Sequence, residues 1–211
     1  MIDLGNSQNI FIDFDGVIKD SVKVKSNIFK IIFLPFGKKI AHFIKNHHEQ
    51  NGGMSRYDKI PIYLSIAGEY PSKKKIKKYA DIFSNLAIRK VINSRWVPGA
   101  KFFLKEQYNK SNLFLVSSTP QSEIEEILYC LKINHFFQEV TGSPTKKKDA
   151  IAKIIHDKRL IKKTSLMIGD SLTDYEAAKA NNIKFILRKT KFNIDLQKNL
   201  HCHMIEDFIN E

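Results

Sequence analysis

Four short apolar runs, widely spaced along the chain, are the sequence feature that most limits the possible folds. They cover residues 9–14, 113–116, 165–168 and 183–187. The runs are largely apolar and lack strict alternation with polar residues, which is typical of strands buried on both faces of a parallel sheet. Helical sequence patterns separate the later runs. The chain is therefore predicted to have an α/β fold, with helices covering both faces of a parallel sheet.

Helices are expected between the later strands. Thr119 and Pro120 match an N-cap followed by proline at the first helical position, which predicts a helix from there to about Leu131. Helical spacing also covers residues 149–156 and 174–180. This alternation of helix and strand is typical of an open α/β core.

Residues 21–94 have a different character, because they contain no convincing strand. Their apolar residues recur at helical spacing, with breaks near residues 35–37 and 52–53. The pattern predicts a helical insertion after the first strand. We therefore expect an α/β core made of residues 1–20 and 95–211, with residues 21–94 forming an inserted helical domain.

The charge composition does not favour nucleic acid as a partner. Lys and Arg number 35 against 22 Asp and Glu, which gives a formal net charge of +13 and would suit a phosphate-bearing partner. However, 30 of the 35 basic residues are Lys, whereas Arg makes most specific base contacts. The excess predicts a solvated basic surface, and no nucleic-acid partner is expected.

No sequence feature predicts a secretory or membrane location. Residues 1–6 lack the basic start and apolar run of a signal peptide. The most apolar early stretch, residues 31–36, is far shorter than the about 20 residues that cross a bilayer. The cysteines, Cys130 and Cys202, are too few for a disulfide scaffold, and Cys130 is expected to be a buried thiol. We expect a cytoplasmic protein with no membrane partner.

Polar residues follow the predicted strands at the points where the strands end. Asp13 and Asp15 close the first strand, Ser117 closes the second, and Asp170 closes the third. Ligands of open α/β sheets bind at this edge, and residues two apart on a strand point the same way. Clustered carboxylates repel one another without a cation, and Mg²⁺ prefers hard oxygen ligands. The sequence therefore predicts a Mg²⁺ and phosphate site at this edge.

These residues resemble the sequence motifs of the haloacid dehalogenase (HAD) superfamily of phosphotransferases, in the same order. Residues 11–18 resemble the first motif, residues 115–117 the second, a lysine within residues 142–148 the third, and residues 168–174 the fourth. The resemblance spans residues 9–190, with the insertion its least specific part. It implies a HAD-like, Rossmann-type three-layer core with a parallel sheet and an inserted α-helical cap.

The resemblance also implies roles for individual residues. Asp13 would be the nucleophile that forms an aspartyl phosphate, and Asp15 would protonate the leaving alcohol and then activate water. Mg²⁺ would be bound by Asp13, the backbone carbonyl of Asp15, and Asp170, with support from Asp174. An acid two residues after the nucleophile resembles the phosphatases and phosphomutases of the superfamily. The members that break carbon–halogen bonds lack it.

A hydroxyl and a lysine would hold the transferred phosphoryl group. Ser117 is the expected hydroxyl, and Ser118 competes for that role. Among three consecutive lysines, the spacing to the following helix favours Lys147, with Lys148 next. In the insertion, Arg56 is expected to bind an anionic part of the substrate, and the alternative interpretation is a surface residue.

The expected function is a Mg²⁺-dependent phosphatase for a small phosphate ester, such as a sugar, polyol, glycolate-like or amino-alcohol phosphate. A phosphomutase would share the motifs but return the phosphoryl group to a sugar. A phosphonate hydrolase would need a lysine amine in the insertion for a Schiff base. A non-catalytic module that binds nucleic acid or protein is opposed by the intact charged motifs.

Ser171 and Asp174 also match a capping box, so a structural role for Asp174 stays open.

Overall fold

The computed structural model describes residues 4–209, which fold around a six-stranded parallel sheet. The sheet order is β3-β2-β1-β4-β5-β6, and every neighbouring pair of strands is parallel. The strands are β1 (Asn9–Ile12), β2 (Asn112–Pro120), β3 (Glu139–Ser143), β4 (Ser165–Gly169), β5 (Lys184–Arg188) and β6 (His203–Ile205). The predicted α/β fold with a parallel sheet is confirmed. Strands β3 and β6, at the two edges of the sheet, were not predicted.

Both faces of the central strands are buried, which explains their continuous apolar sequences. On β1, Ile10 and Ile12 pack into one apolar cluster, whereas Phe11 packs into another on the opposite face. The same alternation places Leu115 of β2 in the first cluster and Phe114 in the second. A strand buried on both faces has no polar side, so its sequence shows no alternation.

Five α-helices lie between β1 and β2, and four of them form what we call the helical insertion (residues 22–92). Its helices are α1 (Val22–Phe33), α2 (Lys38–Gln50), α3 (Arg56–Ile66) and α4 (Lys73–Ile92), and α5 (Ala100–Tyr108) then leads into β2. The insertion has its own apolar cluster, in which the rings of Phe29 and Phe83 lie 4.3 Å apart between centroids. The predicted breaks are confirmed, because a 3-10 turn at Leu34–Phe36 separates α1 from α2, and α2 ends at Gln50.

The remaining helices follow β2 and cover the sheet. They are α6 (Gln121–Cys130), α7 (Lys147–Asp157), α8 (Leu172–Asn181) and α9 (Ile194–Asn199). The helices predicted over residues 149–156 and 174–180 are therefore confirmed, each with slightly wider bounds. Helices α7 and α8 start close to the carboxyl ends of β3 and β4, which places their first residues at the edge where ligands bind. No helix within residues 4–209 has both the length and the apolar character to span a bilayer.

Two local predictions were wrong. Thr119 does not cap a helix, because β2 continues through Pro120 and α6 begins at Gln121. The Thr119 hydroxyl instead donates a hydrogen bond to Asp15 Oδ2 over 3.0 Å, so the residue belongs to the sheet edge. Cys130 is exposed rather than buried, because it lies at the end of α6, beyond the buried residues Ile127 and Leu128, and both cysteines are free thiols.

Candidate active site

Three carboxylates meet at the carboxyl ends of β1 and β4. Asp13 follows β1, Asp170 follows β4, and Asp174 lies in the first turn of α8. All three side chains are buried, and each offers an oxygen within 4.8 Å of the others. The predicted grouping of these residues at one sheet edge is thus present.

Two glycines leave the space that this grouping needs. A Cβ on Gly16 would lie 2.0 Å from Asp170 Oδ2, and the Gly16 φ of +78° is one that side chains rarely adopt. A Cβ on Gly169 would lie 2.2 Å from the Cβ of Asp174. The glycine after Asp15 and the glycine before Asp170 therefore let the carboxylates approach one another.

The electrostatics of the carboxylates fit a divalent cation. Burial raises the pKa of Asp13 to about 7; Lys147 opposes this increase, and Asp174 and Asp15 add to it. Burial, with Asp13 and Asp174 nearby, raises the pKa of Asp170 well above its ordinary range. Buried carboxylates that repel one another are stabilised by a hard cation, and Mg²⁺ prefers such oxygen ligands. The residues present therefore fit Mg²⁺.

Lys147 is the lysine that reaches this cluster. Its Nζ lies 2.9 Å from Asp13 Oδ2 and 2.6 Å from Asp174 Oδ1. Burial alone would lower the pKa of Lys147, but Asp13 and Asp174 raise it above its ordinary value. Lys146 and Lys148 are exposed, because the start of α7 turns them away from the sheet edge. The structure therefore places the favoured lysine of the three beside the proposed nucleophile.

The two serines at the end of β2 have different surroundings. Ser117 is buried, and its Oγ accepts a hydrogen bond from the Thr119 N–H over 3.1 Å. Ser118 Oγ donates to the backbone carbonyl of Gly53 over 2.6 Å, so this hydroxyl contacts the helical insertion. Phosphate binding stays a prediction for both serines. The hydrogen bond to Gly53 also gives Ser118 a structural role, the contact with the insertion, which the sequence analysis did not predict.

Asp174 combines both interpretations that the sequence left open. The Ser171 N–H donates to Asp174 Oδ2 over 3.1 Å, and the capping box at the start of α8 is present. The other carboxylate oxygen, Oδ1, pairs with Lys147. The same side chain therefore caps a helix and belongs to the acidic cluster.

Asp15 is surrounded by hydrogen-bond donors, including one from the insertion. It accepts from Lys25 Nζ over 2.5 Å, from Ser21 Oγ over 2.5 Å and from Thr119 Oγ1 over 3.0 Å. Burial alone would raise the pKa of Asp15, but Lys25 and these hydrogen bonds hold it below its ordinary value. Lys25 was not predicted from the sequence. The available signal was its place on the buried face of α1, between Val22 and Phe29 at helical spacing.

Arg56 is buried rather than on the surface. Its guanidinium donates to Glu123 Oε1 over 2.8 Å and to Glu123 Oε2 over 2.6 Å. A further bond reaches Ser84 Oγ over 2.6 Å. The interpretation of Arg56 as a surface residue is therefore wrong, because the side chain joins α3 of the insertion to α6. Substrate binding by Arg56 stays a prediction, and its partner Glu123 was not predicted from the sequence.

The insertion lies directly against the sheet edge. A Cβ on Gly53 would lie 1.9 Å from Thr173 Oγ1 and 2.3 Å from Ser171 Oγ, so this segment packs tightly on the start of α8. Ser55 Oγ lies 3.2 Å from Ser143 Oγ at the end of β3. A cavity of about 40 Å³ remains between the insertion and the sheet edge. Its polar lining consists of Asp15, Lys25, His48, Arg56, Lys59, Ser118 and Thr119.

The sequence model of the haloacid dehalogenase-like hydrolase family matches residues 10–188, so the chain belongs to this family. No curated protein sequence gives a significant match. The matched region includes every residue of the acidic cluster and Lys147.

Solved structures share the fold at low sequence identity. A haloacid dehalogenase-like family hydrolase from Streptococcus pneumoniae matches with a TM-score of 0.74 and 20% identity, over 97% of this chain and 96% of its own. A predicted phosphoglycolate phosphatase from Haemophilus somnus matches with a TM-score of 0.76 and 17% identity, over 97% and 96% of the two chains. A β-phosphoglucomutase from Clostridium difficile matches with a TM-score of 0.71 and 14% identity, over 96% and 92%. The similarity extends over nearly the whole of each chain, insertion included.

Proposed function

We propose that this protein is a Mg²⁺-dependent phosphatase that hydrolyses a small phosphomonoester through an aspartyl phosphate on Asp13. The observation that carries the proposal is the contact between Asp13 and Lys147 inside the buried acidic cluster. A carboxylate next to both a cation site and a lysine can attack an anionic phosphorus, because the positive charges reduce the repulsion. Membership in a hydrolase family and the names of the similar structures support the same chemistry.

The reaction would proceed in two displacements. An oxygen of Asp13 attacks the phosphorus, the bond from phosphorus to the leaving oxygen breaks, and Asp15, which enters this step in its protonated form, gives that oxygen its proton. Asp15 then takes a proton from a water molecule that attacks the phosphorus and releases phosphate and free Asp13. Lys147 and Ser117 hold the phosphoryl oxygens throughout.

The metal would be held by Asp13, Asp170 and the backbone carbonyl of Asp15, while Asp174 supports the site. When bound, Mg²⁺ supplies positive charge that offsets the charges of the nucleophile and the phosphoryl group. Phosphate-monoester hydrolysis is among the slowest uncatalysed reactions, and enzymes accelerate it by up to ~10²¹-fold, so this charge compensation is essential.

The proposed cap is the inserted domain of residues 21–94, over a core of residues 1–20 and 95–211. Contacts at Gly53, Ser55 and Arg56 support this role, because they hold the insertion over the carboxyl ends of the strands. The cavity of about 40 Å³ beside Asp15 is smaller than a phosphate ester, which supports movement of the cap when the substrate enters. Closure would then exclude water from the first displacement.

A cytoplasmic location is proposed on the basis of the free thiols.

The test is phosphate release from a panel of small phosphate esters, measured with and without Mg²⁺. Release is expected in the native protein with Mg²⁺, and it should disappear with EDTA and in Asp13→Asn. Phosphate release should also be lost in Lys147→Gln. Lys148→Gln is the matched control and should retain activity, because Lys148 is exposed. If the folded protein with Mg²⁺ releases no phosphate from any ester, the proposal is wrong. Activity that depends on an added sugar bisphosphate would indicate a mutase instead.

A further inference from the structure

Lys59 is a buried cation that the proposed mechanism does not use. It lies near the start of α3, and its side chain is fully buried. Its Nζ lies 2.8 Å from His48 Nδ1. None of the ion pairs within residues 4–209 includes Lys59, whereas Lys25 pairs with Asp15 and Arg56 with Glu123. The acids near the cavity thus neutralise the other two cations and leave Lys59 without a carboxylate partner.

The neighbouring histidine does not compensate for this charge. Burial lowers the pKa of His48 well below its ordinary range, and Lys59 and Lys25 lower it further. A neutral His48 accepts a hydrogen bond from the ammonium through Nδ1 but contributes no negative charge. A buried cation that lacks an anionic partner costs several kcal/mol. An anion that enters the cavity would remove that cost.

The cavity connects Lys59 with the reacting end of the proposed substrate. Asp15, the proposed proton donor to the leaving oxygen, lines the same cavity of about 40 Å³. Apolar side chains of Val22, Phe29, Met54 and Phe83 complete the wall. A water molecule needs about 10–15 Å³ of such space, so the cavity holds a group the size of roughly three waters. A carboxylate on a short carbon chain has that size.

We propose that Lys59 binds a carboxylate on the alcohol portion of the substrate, which makes the substrate a short phosphorylated hydroxy acid. This inference rests on the proposed phosphatase function and adds the substrate class. His48 orients the Lys59 ammonium toward the cavity through the contact at its Nδ1. Neutral esters of the same length leave the Lys59 charge unpaired, so the site discriminates against them.

The lowered pKa of Lys59 reflects the burial of its ammonium group with no anion beside it. The pKa of Lys59 is lowered to about 7, mainly by burial and also by Lys25, whereas Asp15 and Asp170 oppose the decrease. A bound carboxylate raises it again, because an adjacent negative charge favours the ammonium form.

The test compares binding of 2-phosphoglycolate with binding of ethyl phosphate, which has the same length but carries no carboxylate. Titration calorimetry with Mg²⁺ uses Asp13→Asn, so that neither ester is hydrolysed. We expect the acid to bind about tenfold or more tightly, and Asp13→Asn/Lys59→Met to lose that preference. Asp13→Asn/Lys78→Met is the matched control, because Lys78 is an exposed lysine of the same insertion and should retain the preference.

Equal binding of the two esters to Asp13→Asn would overturn the proposal, as would a preference that persists in the Lys59→Met variant. Should Lys59→Met fail to fold, Lys59→Gln removes the charge and keeps a polar side chain of similar length. The same pair of esters, tested as substrates of the native protein, separates the two proposals. Hydrolysis of both at equal kcat/KM contradicts the role of Lys59 alone. A binding preference with no hydrolysis of either contradicts the phosphatase function alone.

Inactivation by borohydride in the presence of an aldehyde-bearing phosphonate, with the added mass on Lys59, would also overturn the carboxylate site. That result would give the amine a covalent role and favour the phosphonate hydrolase. We expect no such inactivation.

Discussion

Lys25 Nζ, on the first helix of the insertion, lies 2.5 Å from Asp15 Oδ2, two residues beyond the proposed nucleophile. The ion pair therefore joins the insertion to the group that is proposed to transfer the proton. With Lys25 in place the pKa of Asp15 is below its ordinary value, so this arrangement favours the ionised carboxylate, which is the form that takes a proton from water in the second displacement. Movement of the insertion would separate the pair, and substrate entry is thereby coupled to the state of Asp15.

Asp15→Asn should affect poor leaving groups more than good ones. Proton transfer to the leaving oxygen is worth about 10²–10⁴ in rate, and a nitrophenolate leaves without it. The kcat for an alkyl phosphate should therefore fall by about that factor, whereas the fall for p-nitrophenyl phosphate in the first displacement should be much smaller. Burst kinetics separate that displacement from the later water attack. An equal loss of burst rate for both substrates would argue against Asp15 as the acid.

Gly53→Ala should prevent the insertion from closing on the core. Its Cβ would overlap the hydroxyls of Ser171 and Thr173, which lie at the start of α8. A displacement of about 1 Å at the active site can cost ~10²-fold in rate, so kcat/KM should fall by about 10- to 100-fold. The matched control is Gly52→Ala, since a Cβ there meets nothing within 4 Å. Similar activity of the two variants would show that closure does not need the Gly53 contact.

Arg56→Met should destabilise the protein, because it leaves the largely buried Glu123 without its cationic partner. Removing one member of a buried ion pair costs about 3–5 kcal/mol, and Arg56→Met/Glu123→Leu should recover part of that loss. Urea unfolding measures both variants. If Arg56→Met instead keeps full stability and raises only KM, the guanidinium binds substrate as the sequence suggested.

Lys59→Met should change how stability depends on pH. The ordinary pKa of Lys is 10.5, and that of folded Lys59 is about 7, so the unfolded chain binds more protons between these values. The contribution of Lys59 to the free energy of unfolding therefore rises with pH across this window. The charged groups near Lys59 are Lys25, Asp15, Asp58 and Asp170, and the variant leaves them in place.

The variant should be more stable than the native protein at pH 6 by about 2 kcal/mol, and this difference should shrink toward pH 9. Urea unfolding at pH 6, 7.5 and 9 measures the two curves. Parallel curves for the native protein and Lys59→Met would contradict a depressed pKa at Lys59. Lys78→Met serves again as the control, because an exposed lysine should leave the pH dependence unchanged.

The central strands and the acidic cluster could be predicted from sequence because each has a local signal. Strand β1 is a continuous apolar run followed directly by Asp13. The position of Asp13 at the sheet edge can therefore be predicted from the residues next to it. The edge strands β3 and β6 lack that signal, since Glu139 and His203 begin short segments that are only partly buried. Thr119 and Pro120 match a helix start in sequence. In the structure Thr119 instead lies in β2, where its hydroxyl bonds to Asp15.

The polar residues of the cavity were harder to predict because they depend on how the insertion meets the core. Glu123 and Lys59 stand in ordinary helical sequences, and nothing nearby in the chain indicates that both are buried. Arg56 stands out in the sequence because arginine is rare in this chain. Its partner Glu123, however, lies 67 residues away on another helix. Pairings across such separations are set by packing, which single-sequence patterns do not encode.

The position of β1 in the middle of the sheet also determines the order in which the site can be made during protein synthesis. Asn9 of β1 contacts partners 103 and 156 residues later, in β2 and β4. Most buried apolar residues of the insertion, by contrast, pack within the insertion itself, whereas Val91 packs into the cluster on the sheet. A nascent chain that has just left the ribosome with its insertion complete therefore still lacks every partner of Asp13 in the acidic cluster. The acidic cluster is complete only when α8, which carries Asp174, has been synthesised.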